Sequence, residues 1–160
     1  SAFRGWRLLL VGPASRHPAE RHLATTLPDL VQAHGLADQI LFRDFTPRIE
    51  DCLRAADLLI LPSKNEGIPN VVLEAMACGL PCAATRISGT PDLIEHGRTG
   101  VLFTVDDDRD FLQATQPLLD SPALRAEVGR AARARIVAQF STRVTAERYA
   151  RLYREMLERP

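Results

Sequence analysis

PSKNEGIPNVVLEAMACGLP, residues 62–81, is the stretch whose reading decides the fold. It divides into a loop from Ser63 to Gly67, a short helix beginning at Pro69 or Asn70, and a stop at Gly79 with Pro81 just beyond. Proline suits a first helical turn because its missing N–H would have no partner there, and glycine past the last turn takes the left-handed conformation at little cost. Glu66 in the loop and Glu74 in the helix have seven residues between them. Because the loop doubles back to start the helix, both carboxylates can face one crevice at the helix N-terminus. That end carries unpaired N–H groups and a partial positive charge, which together favour a phosphate. A carboxylate one turn further in only accepts hydrogen bonds, so its natural partners are donors such as a ribose diol.

Working outward, the stretch is flanked by apolar strands, Asp57 to Leu61 before it and Pro81 to Thr85 after it. Further upstream lie Trp6 to Val11, read as a buried strand ending at Gly12-Pro13, and a helix clearest from Pro28 to His34 with Gly35 as its cap. A strand from Gln39 to Phe45 and a helix from Arg48 to Ala56 follow. Downstream, Pro91 opens a short helix, Val101 to Phe103 forms the last strand, and helices run over Asp108–Leu119, Pro122–Gln139 and Ser141–Leu157. Strands alternating with helices imply an α/β architecture, a Rossmann-like doubly wound parallel sheet followed by C-terminal helices. In such sheets ligands lie outside the carboxyl ends of the strands, where residues 62–81 begin. A phosphate at the helix tip with hydroxyl-rich groups on either side describes a sugar nucleotide.

Composition narrows the classes. The 160 residues suit one domain of ordinary size, and 20 basic residues balance 20 acidic ones, so nothing points to nucleic acid. No apolar run is long enough to span a membrane and no signal-peptide pattern opens the chain, so it reads as soluble and cytoplasmic. Cys52, Cys78 and Cys82 lack metal-ligand spacing and read as free thiols. His17, His22 and His34 show no ligand spacing either, and no metal or cofactor is expected. One glycine stands at Gly12 where a dinucleotide fingerprint needs three, which turns the reading away from NAD. Lys64, the only lysine, lies two residues before Glu66, within reach of a phosphate or a sugar hydroxyl; a solvated loop lysine is the plainer account.

Pro62-Ser63, Glu66-Gly67, Asn70 to Glu74 and Ala75 to Pro81 together resemble the nucleotide-binding signature of retaining glycosyltransferases of the two-domain GT-B fold, family 4 (group 1) in particular. Glu66 and Glu74 match the E-x7-E pattern of that family. Either glutamate alone is more often a solvated or dipole-complementing residue; the flanking pattern is what separates the pair from that background. The resemblance runs from about Leu8 to Leu157. It implies a donor-binding half, residues 1–160, of an enzyme that moves a hexose-type sugar from a nucleoside diphosphate to a glycan or lipid-linked glycan acceptor, as in polysaccharide assembly at the inner membrane face. By the same resemblance Glu74 accepts from the ribose and Glu66, the catalytic assignment, from the donor sugar. Backbone N–H groups around Gly67, Asn70 and Val71 hold the distal phosphate, Ile68 and Pro69 belong to the same donor-binding turn, Gly12 lines the donor cleft, and Phe45 and Thr46 lie near the base. The chain has Asp44 where the family usually has glycine. An N-terminal acceptor domain and the first strand of the donor domain, which is central in the sheet, are expected in addition. The gap they leave is closed either by upstream residues or by a swapped or homodimeric arrangement. A nucleotide-sugar epimerase of the same architecture and a non-catalytic binding module are the alternatives.

Overall fold

The computed structural model describes residues 5–12 and 18–158. They form two compact units, residues 1–49 and 50–160.

In the first unit β1 (Leu8–Val11) pairs in parallel with β2 (Ile40–Arg43), Leu8 opposite Ile40 and Val11 opposite Arg43. The crossover is α1 (Pro18–Ala33). This helix begins ten residues before the segment in which the sequence pattern is clearest. Pro18 occupies its first turn, and Pro28 is accommodated inside it. Its end is glycine-made: Gly35 has φ +64°, its N–H donates to the Gln32 carbonyl, and the Leu36 N–H donates to that of Val31. This double closure satisfies carbonyls that the last turn would otherwise leave open. β1 is not the buried strand its apolar run suggests, since Leu8 and Leu9 are each about two-fifths exposed. A two-stranded sheet cannot shield its own faces and edges.

α2 (Ile49–Ala55) starts at the last residue of the first unit, and the second unit is built on a parallel sheet in the order β3 (Leu59–Leu61), β4 (Cys82–Thr85), β5 (Val101–Phe103). Leu61 stands opposite Ala84, and Thr85 opposite Phe103. The crossovers are α3 (Asn70–Ala77) and α4 (Thr90–Leu93). Three helices follow: α5 (Asp108–Asp120), α6 (Pro122–Gln139) and α7 (Thr142–Leu157). The parallel strands therefore belong to two sheets rather than one continuous sheet.

Central β4 reads Cys-Ala-Ala-Thr and is buried throughout. Small side chains let helices approach both faces of a strand closely. On one face Ala83 packs with Val101, Phe103, Leu118 and Val128, and the Phe103 and Phe111 rings meet edge to face at 5.0 Å. Val72, Ala75 and Met76 bury one stripe of α3. Burial also pushes the Cys82 thiol well above its ordinary range, which keeps it protonated and inert.

α6 holds the helix ends in place. At Gly129 a Cβ would stand 2.0 Å from the Gly79 carbonyl oxygen, so only glycine permits this approach. Arg133 donates to the Ala77 carbonyl at the end of α3, and Arg135 donates to the carbonyls of Asp92 and Leu93 and to the Glu95 carboxylate. α7 has a conventional start, with the Ser141 hydroxyl accepting from the Val144 N–H. Its stripe of Tyr149, Leu152, Tyr153 and Met156 is exposed, and no residue of the helix is buried. Among the described residues no helix is long and apolar enough to cross a membrane.

Candidate functional site

The loops leaving the carboxyl ends of β3, β4 and β5 assemble the site in the second unit. After β3 the chain runs through Ser63, Lys64 and Glu66 into α3. Pro69 takes the N-cap position in extended conformation (φ −73°, ψ 112°), and no side chain caps the helix. The first turn, Asn70 to Val72, holds no acidic residue. The positive end of the helix is therefore neither capped nor neutralised by its own sequence. Such an end suits an anionic ligand. At its other end α3 closes as expected: Gly79 has φ +78°, its N–H donates to the Met76 carbonyl, and Leu80 N–H donates to that of Ala75.

Glu66 is half-buried and accepts a hydrogen bond of 2.8 Å from the Ser63 hydroxyl. Glu74, on α3 itself, is exposed. Gly67, Ile68 and Asn70 are exposed around the turn, Val71 is half-buried and Pro69 is buried. Lys64 forms an ion pair of 2.7 Å with Asp106 in the loop after β5, both side chains being largely exposed. Asp106 holds φ +57°, a conformation that is unusual for a residue other than glycine.

The loop after β4 packs against the loop after β3. Thr85, buried at the end of β4, donates from its hydroxyl to the Ser63 carbonyl at 2.5 Å. The buried Thr90 hydroxyl faces the Thr85 and Ile87 carbonyls at 2.6 and 2.9 Å and accepts from the Ile87 N–H, closing the loop on itself. At Gly89 (φ +82°) a Cβ would lie 1.7 Å from the Gly67 carbonyl oxygen, so the two loops touch backbone to backbone. After β5, Asp107 caps α5 by accepting from Arg109 and Asp110 N–H groups. Asp110 reaches back to accept from the N–H and hydroxyl of Thr104, both at 2.7 Å, and these bonds hold its carboxyl below the usual carboxylate range.

Lys64, Glu66, Gly67, Ile68, Pro69, Asn70, Val71 and Glu74 all belong to the second unit, along the loop after β3 and along α3. Gly12, Phe45 and Thr46 belong to the first unit. Gly12 donates its N–H to the Arg43 carbonyl, Phe45 is 70% exposed, and Thr46 accepts from the Arg48 N–H just before α2. Sequence reasoning did not find Thr85, Gly89 or Asp106. Each acts through a contact distant in the chain, and only Gly89 carries a signal, a glycine beside Ser88 in the loop after a buried strand. Among the described residues no group of three His, Cys, Asp or Glu side chains gathers to hold a metal ion.

Comparison with known proteins identifies this architecture. Residues 1–121 match the family described as Glycosyl transferases group 1. The chain is 33% identical over 151 residues to N-acetyl-alpha-D-glucosaminyl L-malate synthase of Bacillus anthracis, covering 94% of this chain and 38% of that protein. To D-inositol 3-phosphate glycosyltransferase of Thermobispora bispora it is 39% identical over 135 residues, covering 83% of this chain and 31% of that one. The solved structure of Anabaena HepE in complex with UDP superposes with a TM-score of 0.87 at 24% identity, over 94% of this chain and 41% of HepE. The chain belongs to the group 1 glycosyltransferase family, and its fold is the Rossmann-like C-terminal domain of GT-B enzymes. It spans about a third to two-fifths of the length of these relatives.

Proposed function

We propose that the chain is the donor-binding half of a retaining glycosyltransferase, which holds a nucleoside-diphosphate sugar and supports transfer of a hexose-type sugar to an acceptor bound by an N-terminal domain. The observation that carries this reading is the uncapped, acid-free N-terminus of α3 lying in sequence between Glu66 and Glu74. In this reading the N–H groups of Asn70 and Val71 hold the distal phosphate, Glu74 accepts from the ribose hydroxyls, and Glu66 accepts from hydroxyls of the donor sugar. Chemistry is then electrostatic. As the glycosidic bond to the diphosphate lengthens, negative charge grows on the leaving oxygen, and fixed N–H donors at a helix tip stabilise that charge without reorganising. The departing phosphate, on the same face of the sugar, assists deprotonation of the incoming hydroxyl. Retention follows from both events sharing one face.

The expected acceptor is a glycan or lipid-linked glycan, on the cytoplasmic side and at the membrane face where the acceptor is lipid-linked. The two relatives are named for small acceptors, L-malate and D-inositol 3-phosphate, so both classes belong in the assay. The test is calorimetric titration of the full-length protein with UDP, GDP, ADP and their sugar conjugates, beside Glu74→Ala. Selective binding of one nucleotide, weakened about tenfold or more in the variant by loss of charge-assisted hydrogen bonds, is the expected result. Binding of none, or equal binding by the variant, overturns the reading.

A further inference from the structure

The geometry points to Thr85 as a positioning residue for Glu66, acting through Ser63; the inference rests on the donor-site reading above. The Thr85 side chain is 2% exposed, lies at the carboxyl end of β4, and has one hydroxyl proton to give. Two carbonyls face it, Ser63 at 2.5 Å and Leu61 at 3.5 Å, and the nearer takes the proton. Ser63 in turn donates its own hydroxyl to Glu66 at 2.8 Å. The relay thus crosses from the central strand to the loop after β3, and from the backbone of that loop to the carboxylate.

The relay supplies what the loop lacks by itself. β3 is only three residues long and its last ladder partner is Leu61 opposite Ala84, so the sheet gives Ser63 no further backbone pairing. Thr85 replaces the missing rung with a side chain. A buried hydroxyl that loses its acceptor, or a carbonyl that loses its donor, is costly, so the Ser63 carbonyl stays where Thr85 holds it. Fixing that carbonyl positions the Ser63 Cα from which its hydroxyl reaches Glu66. One Glu66 oxygen is thereby engaged and the other is left for a ligand. Thr85 itself meets no ligand in this scheme. Its effect falls on the group read by Glu66, the sugar, and not on the nucleoside diphosphate held by α3 and Glu74.

That separation gives the test. In the full-length protein, Thr85→Val keeps the shape of the side chain and removes the hydroxyl, while Thr85→Ser keeps the hydroxyl. Affinity is measured for the free nucleoside diphosphate and for its sugar conjugate. The expected result for Thr85→Val is an affinity for the conjugate lower by about tenfold, with affinity for the diphosphate changed by less than about twofold, and both values restored in Thr85→Ser. A purely structural role would lower both affinities together or neither, and that result overturns the inference while leaving the donor site intact. If the unmodified protein binds neither compound, the donor-site reading falls and the inference falls with it.

Discussion

Gly89→Ala is the substitution whose consequence can be worked furthest from the structure. The new Cβ would stand 1.7 Å from the Gly67 carbonyl oxygen, 2.7 Å from its carbon and 3.2 Å from the Ile68 Cα, all of them backbone atoms. Real Cβ atoms essentially never come within 3.0 Å of such neighbours. The loop carrying Glu66 and Gly67 therefore has to retreat by roughly 1.3 Å, because close-packed interiors offer no slack. The substitution also places a side chain at φ +82°, ψ −31°, a sparsely populated conformation that costs about 1–3 kcal/mol. Overpacking adds roughly 1–3 kcal/mol. A domain in the middle of the ordinary range of about 5–15 kcal/mol survives this loss.

The control is Gly97→Ala. Gly97 has nearly the same φ, +81°, but no atom within 4 Å of its would-be Cβ, so it places a side chain at positive φ without the collision. In urea unfolding, Gly89→Ala should lie below Gly97→Ala by at least the overpacking contribution, about 1–3 kcal/mol. In turnover by the full-length enzyme the two should separate more widely. A shift of about 1 Å in a positioned group can cost about a hundredfold, and only Gly89→Ala moves Glu66. Equal unfolding midpoints for the two variants, or full turnover by Gly89→Ala, would show that the Glu66 loop is not braced by the loop after β4.

Two further outcomes are expected. Lys64→Met should leave the unfolding midpoint nearly unchanged, since an exposed pair such as Lys64–Asp106 contributes about 0–1 kcal/mol. It should nevertheless weaken nucleoside-diphosphate binding several-fold at about 10 mM salt and far less at about 1 M, where charges are screened; a loss of affinity that ignores salt would remove Lys64 from the phosphate. Asp110 has a folded-state pKa below its unfolded value, so its contribution to stability is fully present above about pH 4 and is lost as pH falls through the folded value. The stability gap between the parent chain and Asp110→Asn should therefore narrow below about pH 4, and a gap that widens on acidification would contradict the Thr104 bonds as its source.

What was legible in the sequence was whatever the chain specifies locally. Gly35 and Gly79 end their helices by the left-handed closure expected of them, Ser141 caps α7, and each strand is found within the run that marked it. The burial of β1 was misjudged because an apolar run reports what a strand could bury, not how many neighbours its sheet provides. α1 begins ten residues before its clearest stretch because Pro28 lies inside the helix rather than opening it. Glu66 and Glu74 could be picked out because they stand in one contiguous pattern. Thr85, Gly89 and Asp106 could not, because each matters through an atom 22 to 42 residues away in the chain, and a threonine at a strand end has no signature that separates it from any other.

The three braces on the loop after β3 differ in strength in a way that fits a site with one rigid and one adaptable part. Its strands are three or four residues long, too short for sheet pairing alone to fix the loops beyond them. Two braces are buried or backbone to backbone: the Thr85 hydroxyl on the Ser63 carbonyl, and Gly89 against Gly67. Both act on the segment from Ser63 to Gly67, which carries Glu66. The third, Lys64 to Asp106, joins two exposed side chains and is weak enough for another anion to replace Asp106. A diphosphate carries more charge than one carboxylate and can therefore displace it. In the proposed reading the lysine then follows the diphosphate as it enters and leaves, while the glutamate two residues on keeps its place.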